Sequence, residues 1–239
     1  MLASTRKLVN RVLRPFGQII AHERCVPSWQ RFFAVLKANS LTPQTVFDIG
    51  VAKGTPWLYD AFPEAYYYLI DPTRESLPYM QRWAQSLRAE VLNVALGASE
   101  GAEMIDVRDE IGGSTFFREV GPYTSVAKYE VPVRRFDAII GDFKRPALCK
   151  IDVQGAELVV LEGISVRSRD IDFIIIETSA MATVDNGPEI FDVMTKLNDY
   201  GFVLYDVLGL NRRPLDQALA QLDLAFVKAD SPLRRDRRW

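Results

Sequence analysis

Histidine and cysteine are almost missing from this sequence: one His and two Cys occur in 239 residues. His22, Cys25 and Cys149 cannot by themselves furnish a structural Cys/His metal site. Two thiols make no disulfide framework, and a reduced, cytoplasmic setting is expected. No run approaches the roughly 18 apolar residues that a membrane span needs. Arg6, Lys7, Arg11 and Arg14 interrupt any apolar signal core, so no secretory signal is expected. A one-sided charge is absent as well. The 29 basic and 31 acidic residues leave a net charge of −2, which disfavours nucleic acid as an obligate partner.

What is present is an ordinary globular composition, 48% hydrophobic and 25% charged, in a chain long enough to bury its own core. Residues 6–20 place Leu8, Val9, Val12, Leu13 and Phe16 near one helical face among arginines. This segment reads either as a docking helix or partly ordered arm, or as a basic amphipathic helix making weak peripheral contact with an anionic membrane. A second helix is expected from Ser28, with Trp29, Phe32, Phe33 and Leu36 on one face, ending before Thr42-Pro43.

The period then changes. Strand-like runs lie at 45–49, 66–71, 90–94, 148–153, 172–177, 202–208 and 222–228. Helical patterns lie between them, one with Leu77, Met80, Ala84 and Leu87, another with Ile190, Val193, Met194 and Leu197 between Pro188 and Gly201. Nearly continuous apolar strands alternating with amphipathic helices imply a parallel sheet covered on both faces. Residues 101–135 break the alternation and read as an inserted hairpin, strands 102–107 and 129–134 around a long Gly/Ser/Thr-rich loop. Residues 209–221 are expected to hold a short helix or loop, which permits a final antiparallel strand. The domain reading is an N-terminal helical extension (1–44), one α/β domain (45–230) and a charged, frayed tail (231–239).

Candidate chemistry begins where the first strand breaks, at Asp48-Ile-Gly-Val-Ala-Lys-Gly54. Ligands of open α/β sheets bind at the carboxyl ends of the strands, and glycines there admit close approach of the backbone. The same glycines also serve a purely steric turn. Asp71 ends the second strand, where an acid can accept ribose hydroxyls of an adenosine; the alternative is a helix N-cap. A dinucleotide fingerprint needs G-x-G-x-x-G, and Ala52 occupies its second glycine. G-x-x-x-G after an acid suits instead a ligand with an amino-acid end and no phosphate.

Several segments together resemble the FkbM-type methyltransferases. DIGVAKG (48–54), NVALG (93–97), VPVRRFDAII (131–140), CKIDVQGAELVVLEG (149–163) and FIIIET (173–178) are similar to motifs of that family. The resemblance implies a class I methyltransferase, a Rossmann-like, seven-stranded and mostly parallel sheet with helices on both faces. It also implies S-adenosyl-L-methionine as cofactor, held by Asp48, Gly50, Gly54, Asp71, Asn93, Ala95 and Asp152. The expected reaction is O-methylation of a hydroxyl on a sugar, glycan or natural-product small molecule. Two departures stand out: Ala52 where the family usually has Asn, and Gln154 where it usually has Glu.

An alcohol must lose its proton as it is methylated, so a positioned carboxylate is expected. Asp152 is the first candidate base, Glu177 the second and Glu157 the third; Asp152 alternatively caps the helix that follows. The three carboxylates alternatively hold Mg²⁺, but Gln154 removes an acid and no metal ligand is assigned. His22 is read as structural or solvated rather than as a base. Loops 111–125 (Phe116, Phe117, Tyr123) and 178–188 are expected to flank the acceptor. Two other readings stay open: a non-catalytic interaction module that keeps the fold, motivated by Ala52, and a nicotinamide-dependent oxidoreductase.

Overall fold

The computed structural model describes residues 2–16, 18–118, 123–236 and 238. Helix α1 (Leu2–Leu13) and a 3-10 turn (Arg14–Phe16) precede α2 (Trp29–Ala38). Ser28 caps α2 by accepting from the Arg31 amide at 3.2 Å. Strand and helix then alternate through β1 (Thr45–Ile49), α3 (Pro56–Ala61), β2 (Tyr66–Ile70), α4 (Leu77–Ala84) and β3 (Arg88–Leu92). A smaller unit follows, with β4 (Ala95–Leu96), β5 (Gly101–Arg108) and β6 (Ser125–Arg134). After α5 (Phe136–Ile139) come β7 (Ala147–Ile151), α6 (Glu157–Ile164), β8 (Phe173–Ser179), α7 (Ile190–Asp199), β9 (Phe202–Arg212) and β10 (Leu219–Lys228).

The main sheet has seven strands in the order β3-β2-β1-β7-β8-β10-β9. Strands β3, β2, β1, β7 and β8 run parallel, and β10 is antiparallel to both β8 and β9. Every residue of β1 and β7 is buried, as central parallel strands require. Alternate side chains serve opposite layers. Phe47, Ile49, Cys149 and Ile151 join one core with α5, α6 and α7, while Val46 and Leu148 join the other with α2, α3 and α4. Cys149 packs as a small hydrophobe there, its thiol pushed up by burial.

The expected hairpin of 101–135 is present as antiparallel β5 and β6, and β4 widens it by pairing in parallel with β6. Residues 209–221 hold the loop rather than the short helix, and the loop is confined to 213–218. Strands β9 and β10 run on past the sheet body and close in a tight turn, where the Arg213 amide donates to Ala218 O at 3.0 Å. The charged tail is partly tied down: Ser231 caps a 3-10 turn (Pro232–Arg234), and Leu233 packs against the second core. Among the described residues no helix is long and apolar enough to cross a membrane.

Candidate active site

The carboxyl ends of β1, β2, β7 and β8 open into a cleft of about 370 Å³. Its floor is the turn after β1. Gly50 has φ +78°, and a Cβ placed there would lie 1.8 Å from Asp152 O. Only glycine fits, because β1 and β7 approach backbone to backbone at this point. Gly54 (φ +110°) leaves room for the Trp83 indole, which donates to Lys53 O at 3.0 Å. Between them Ala52 sits at φ +48°, a left-handed conformation that asparagine tolerates better than alanine.

Asp71 closes the adjoining wall. Its Oδ2 accepts from the Ala52 amide at 2.8 Å, and its Oδ1 accepts from the Thr73 amide and hydroxyl at 2.9 and 2.7 Å. Asp71 lines the cleft and braces the turn at Thr73, and it caps no helix, since α4 begins at Leu77 after Ser76. With two acceptor positions per oxygen, one remains open on Oδ2. Ala95 lines the same wall. Asn93 lies behind it, donating to the Asp71 and Thr73 carbonyls at 2.8 and 2.9 Å.

Beneath the floor runs a buried charge relay. Register places Asp48 of β1 directly opposite Lys150 of β7. Lys150 Nζ lies 3.2 Å from Asp48 Oδ1 and 3.5 Å from Asp152 Oδ2, and donates to Gly50 O at 2.7 Å. Burial alone would lower the lysine, but Asp48 and Asp152 together hold it above its ordinary value. The Tyr59 hydroxyl donates to Asp48 Oδ2 at 2.6 Å, and its phenol is pushed up by burial and by that carboxylate.

The far wall gathers three acids. Asp152, Glu177 and Asp223 all line the cleft, together with Trp29, Trp57 and Phe116. Gln154 Nε2 donates to Asp152 Oδ1 at 3.0 Å and to Glu177 Oε2 at 2.7 Å, so one amide bridges two carboxylates. A glutamate at 154 would meet two like charges instead. Gln221 adds a second donor to Glu177 Oε2 at 3.0 Å. Glu177 nonetheless faces Asp223 across the β8–β10 pair. Burial and the neighbouring Asp152 and Asp223 push Glu177 up to about 8, against Gln154 and Lys150. Asp223 is itself raised by burial, and accepts from the Trp29 indole at 3.0 Å.

The structure thus brings Gly50, Gly54, Asp71, Ala95, Asp152 and Glu177 to one cleft. Asp48, Asn93 and Glu157 do not line it. Asp48 is fully buried below the floor. Glu157 turns back to accept from the Gly155 amide at 2.9 Å, its carboxyl raised by burial, which corrects its place among the candidate bases. Exposed His22 accepts from the Arg24 amide at 3.2 Å and stays off the cleft wall. Phe117 packs beside Gly155 with Val184, so loop 178–188 braces the turn after β7 rather than lining the cleft. Residues 119–122 of the expected acceptor loop lie outside the described residues. Among the described residues no cluster of His, Cys, Asp and Glu has the arrangement of a metal site.

Sequence reasoning passed over Lys150, Trp29, Trp57, Gln221 and Asp223. Lys150 carried a signal: a lysine inside an apolar strand must be paired if it is buried. The others are assembled by the fold alone, since Trp29 and Asp223 are 194 residues apart.

The strand order, the antiparallel final pair and the glycine-floored cleft define a class I, Rossmann-like methyltransferase. The methyltransferase FkbM domain matches residues 48–204, and the chain belongs to that family. It is a methyltransferase of the class that uses S-adenosylmethionine as methyl donor. No curated protein matches the chain. Among solved structures, it is similar to magnesium protoporphyrin IX methyltransferase from Synechocystis PCC 6803 with bound SAM. That likeness has 15% identity over 84% of this chain and 77% of the other, with a TM-score of 0.48. The N-methyltransferase NodS from Bradyrhizobium japonicum WM9 is 11% identical over 84% and 85%, with a TM-score of 0.46. The 1,6-didemethyltoxoflavin-N1-methyltransferase from Burkholderia thailandensis is 14% identical over 84% and 78%, with a TM-score of 0.45.

Proposed function

We propose that this methyltransferase acts on a hydroxyl oxygen of a sugar, glycan or natural-product small molecule, with Asp152 as the proton acceptor. The observation that carries the reading is the bridged pair Asp152–Gln154–Glu177 on the cleft wall beside the glycine floor. An alcohol needs such a carboxylate, because its proton must leave as the new bond forms.

The residues present fit the methyl donor. The turn from Gly50 to Gly54 lines the cleft and would meet the donor's amino-acid end, and the open acceptor position on Asp71 suits a ribose hydroxyl. Val94, Ala95 and Leu96 offer an apolar wall for a base. When bound, S-adenosylmethionine supplies an electrophilic methyl group, which the acceptor oxygen takes as the carbon–sulfur bond breaks and its electron pair stays on sulfur.

Lys150 fixes Asp152 from below, and the Gln154 amide fixes it from the side. Asp152 Oδ2 is thereby oriented to accept the acceptor's proton. Glu177 acts as a positioning residue through Gln154. Trp29 and Trp57, packed edge to face with centroids 6.0 Å apart, form a wall on which a ring can lie.

The test is transfer of labelled methyl from S-adenosylmethionine to a panel of sugars, glycans and secondary alcohols, with matched amines alongside. Label in an alkali-stable ether supports the reading. Label confined to the amines would overturn it.

A further inference from the structure

The amino-terminal hook presents an apolar surface that the fold does not cover. Helix α1 packs chiefly against the 3-10 turn Arg14–Phe16 that follows it. Among the described residues, none before Trp29 joins any of the three hydrophobic clusters. Asn10 fixes the hook: its Nδ2 donates to Ile20 O at 2.8 Å, and its Oδ1 accepts from Ile20 N at 2.6 Å. Farther along, Arg31 of α2 donates to the carbonyls of Glu23 and Val26 at 2.9 and 2.8 Å, which ties the base of the hook to the domain.

The clamp holds large apolar groups in water. Val12 is 63% exposed, Phe16 76%, Ile19 64% and Ile20 49%. A docking helix would have buried them, so the packing goes against that reading of the sequence. Charge points to what covers them. The first twenty residues contain Arg6, Lys7, Arg11 and Arg14 and no acidic residue, whereas the whole chain is net −2. Arg11 and Arg14 stand exposed beside the apolar tips.

We propose that residues 2–20 dock this enzyme on the surface of an anionic phospholipid bilayer, with Val12, Phe16, Ile19 and Ile20 in the acyl boundary and the basic residues among the headgroups. Apolar and basic groups on one short segment are the two contributions that interfacial binding sums. A yielding lipid surface accepts separate apolar tips without the shape complementarity that a protein partner needs. The remaining chain is net acidic, so its overall charge does not draw the enzyme to the same surface. The inference does not depend on the identity of the acceptor.

Sedimentation of the full chain with vesicles tests it, using phosphatidylcholine alone and phosphatidylcholine with phosphatidylserine. Binding to the anionic vesicles is expected, weakening as salt rises. The double variant Arg11→Glu/Arg14→Glu should weaken partitioning about 25-fold or more, at about fivefold per lost cation. The variant Phe16→Ser/Ile19→Ser should weaken it about tenfold or more. Both variants should still bind S-adenosylhomocysteine as the wild type does, which separates lost docking from lost fold. Failure to bind anionic vesicles, or equal binding to both vesicle types that ignores the variants, overturns the proposal. So does a dimer at micromolar concentration that Phe16→Ser dissolves, since a second copy would then cover the face.

Discussion

The two halves of the cleft treat their carboxylates in opposite ways. Below and beside the glycine floor, Asp48 is matched by Lys150 and Tyr59, and Asp71 by the Ala52 amide and Thr73. At the other end Asp152, Glu177 and Asp223 share one lysine, two glutamine amides and an indole. The first half is electrostatically satisfied and sterically tight, as suits a fixed ligand held in one pose. The second carries like charges across neighbouring strands, an arrangement that costs stability in a sheet and is found where chemistry needs raised carboxyls.

The largest break in this contrast comes from the floor. Gly50→Val sets a branched side chain at positive φ against Asp152 O, and should cost about 3–6 kcal/mol in strain and overpacking. Calorimetry with S-adenosylhomocysteine should show no binding, and thermal unfolding should shift downward; a folded variant with unchanged affinity would misplace the floor. Next is Lys150→Met, which strands Asp48 without its cation. Breaking a buried pair of this kind should cost about 3–5 kcal/mol in urea unfolding.

Glu177→Gln probes the crowded half through pH. The glutamate's pKa is raised in the fold from 4.5 to about 8, so the native state keeps a proton that the unfolded chain releases. Its contribution is fully present below about pH 4.5 and is lost as pH rises through about 8. Wild-type stability should therefore fall across that window. The variant should remove most of the fall and be more stable than the wild type at pH 9; parallel pH curves would deny that Glu177 is under strain. Ala52→Asn has the smallest effect. It should raise stability by about 0.5–1 kcal/mol, because asparagine suits φ +48° better, and leave the Asp71 contact to the backbone amide intact.

Legibility in the sequence divided along the same line. The sheet was readable because β1, β2, β7 and β8 are apolar runs with few alternative partners. The satisfied half was readable too, since Gly50, Gly54 and Asp71 lie within 24 residues along two strand ends. Asp48 was legible as a residue of the motif but not as a buried partner, which needed the β1–β7 register. The crowded half was only partly visible. Asp152 follows β7 directly and Glu177 lies near the end of β8, but Asp223 lies within an antiparallel strand, and Trp29 comes from a helix outside the recognisable motif. In sequence, Gln154 reads as a removed acid, and the bridge to both carboxylates shows what its amide gains.

Turnover of Asp152→Asn on one hydroxyl acceptor, beside Glu177→Gln, tests the base assignment most directly. The substitution keeps shape and removes the charge that takes the proton. If Asp152 is the acceptor of that proton, kcat should fall by about two to four orders of magnitude while S-adenosylhomocysteine affinity changes little, and Glu177→Gln should cost less. Near-normal turnover by Asp152→Asn, or a larger loss in Glu177→Gln, would contradict it.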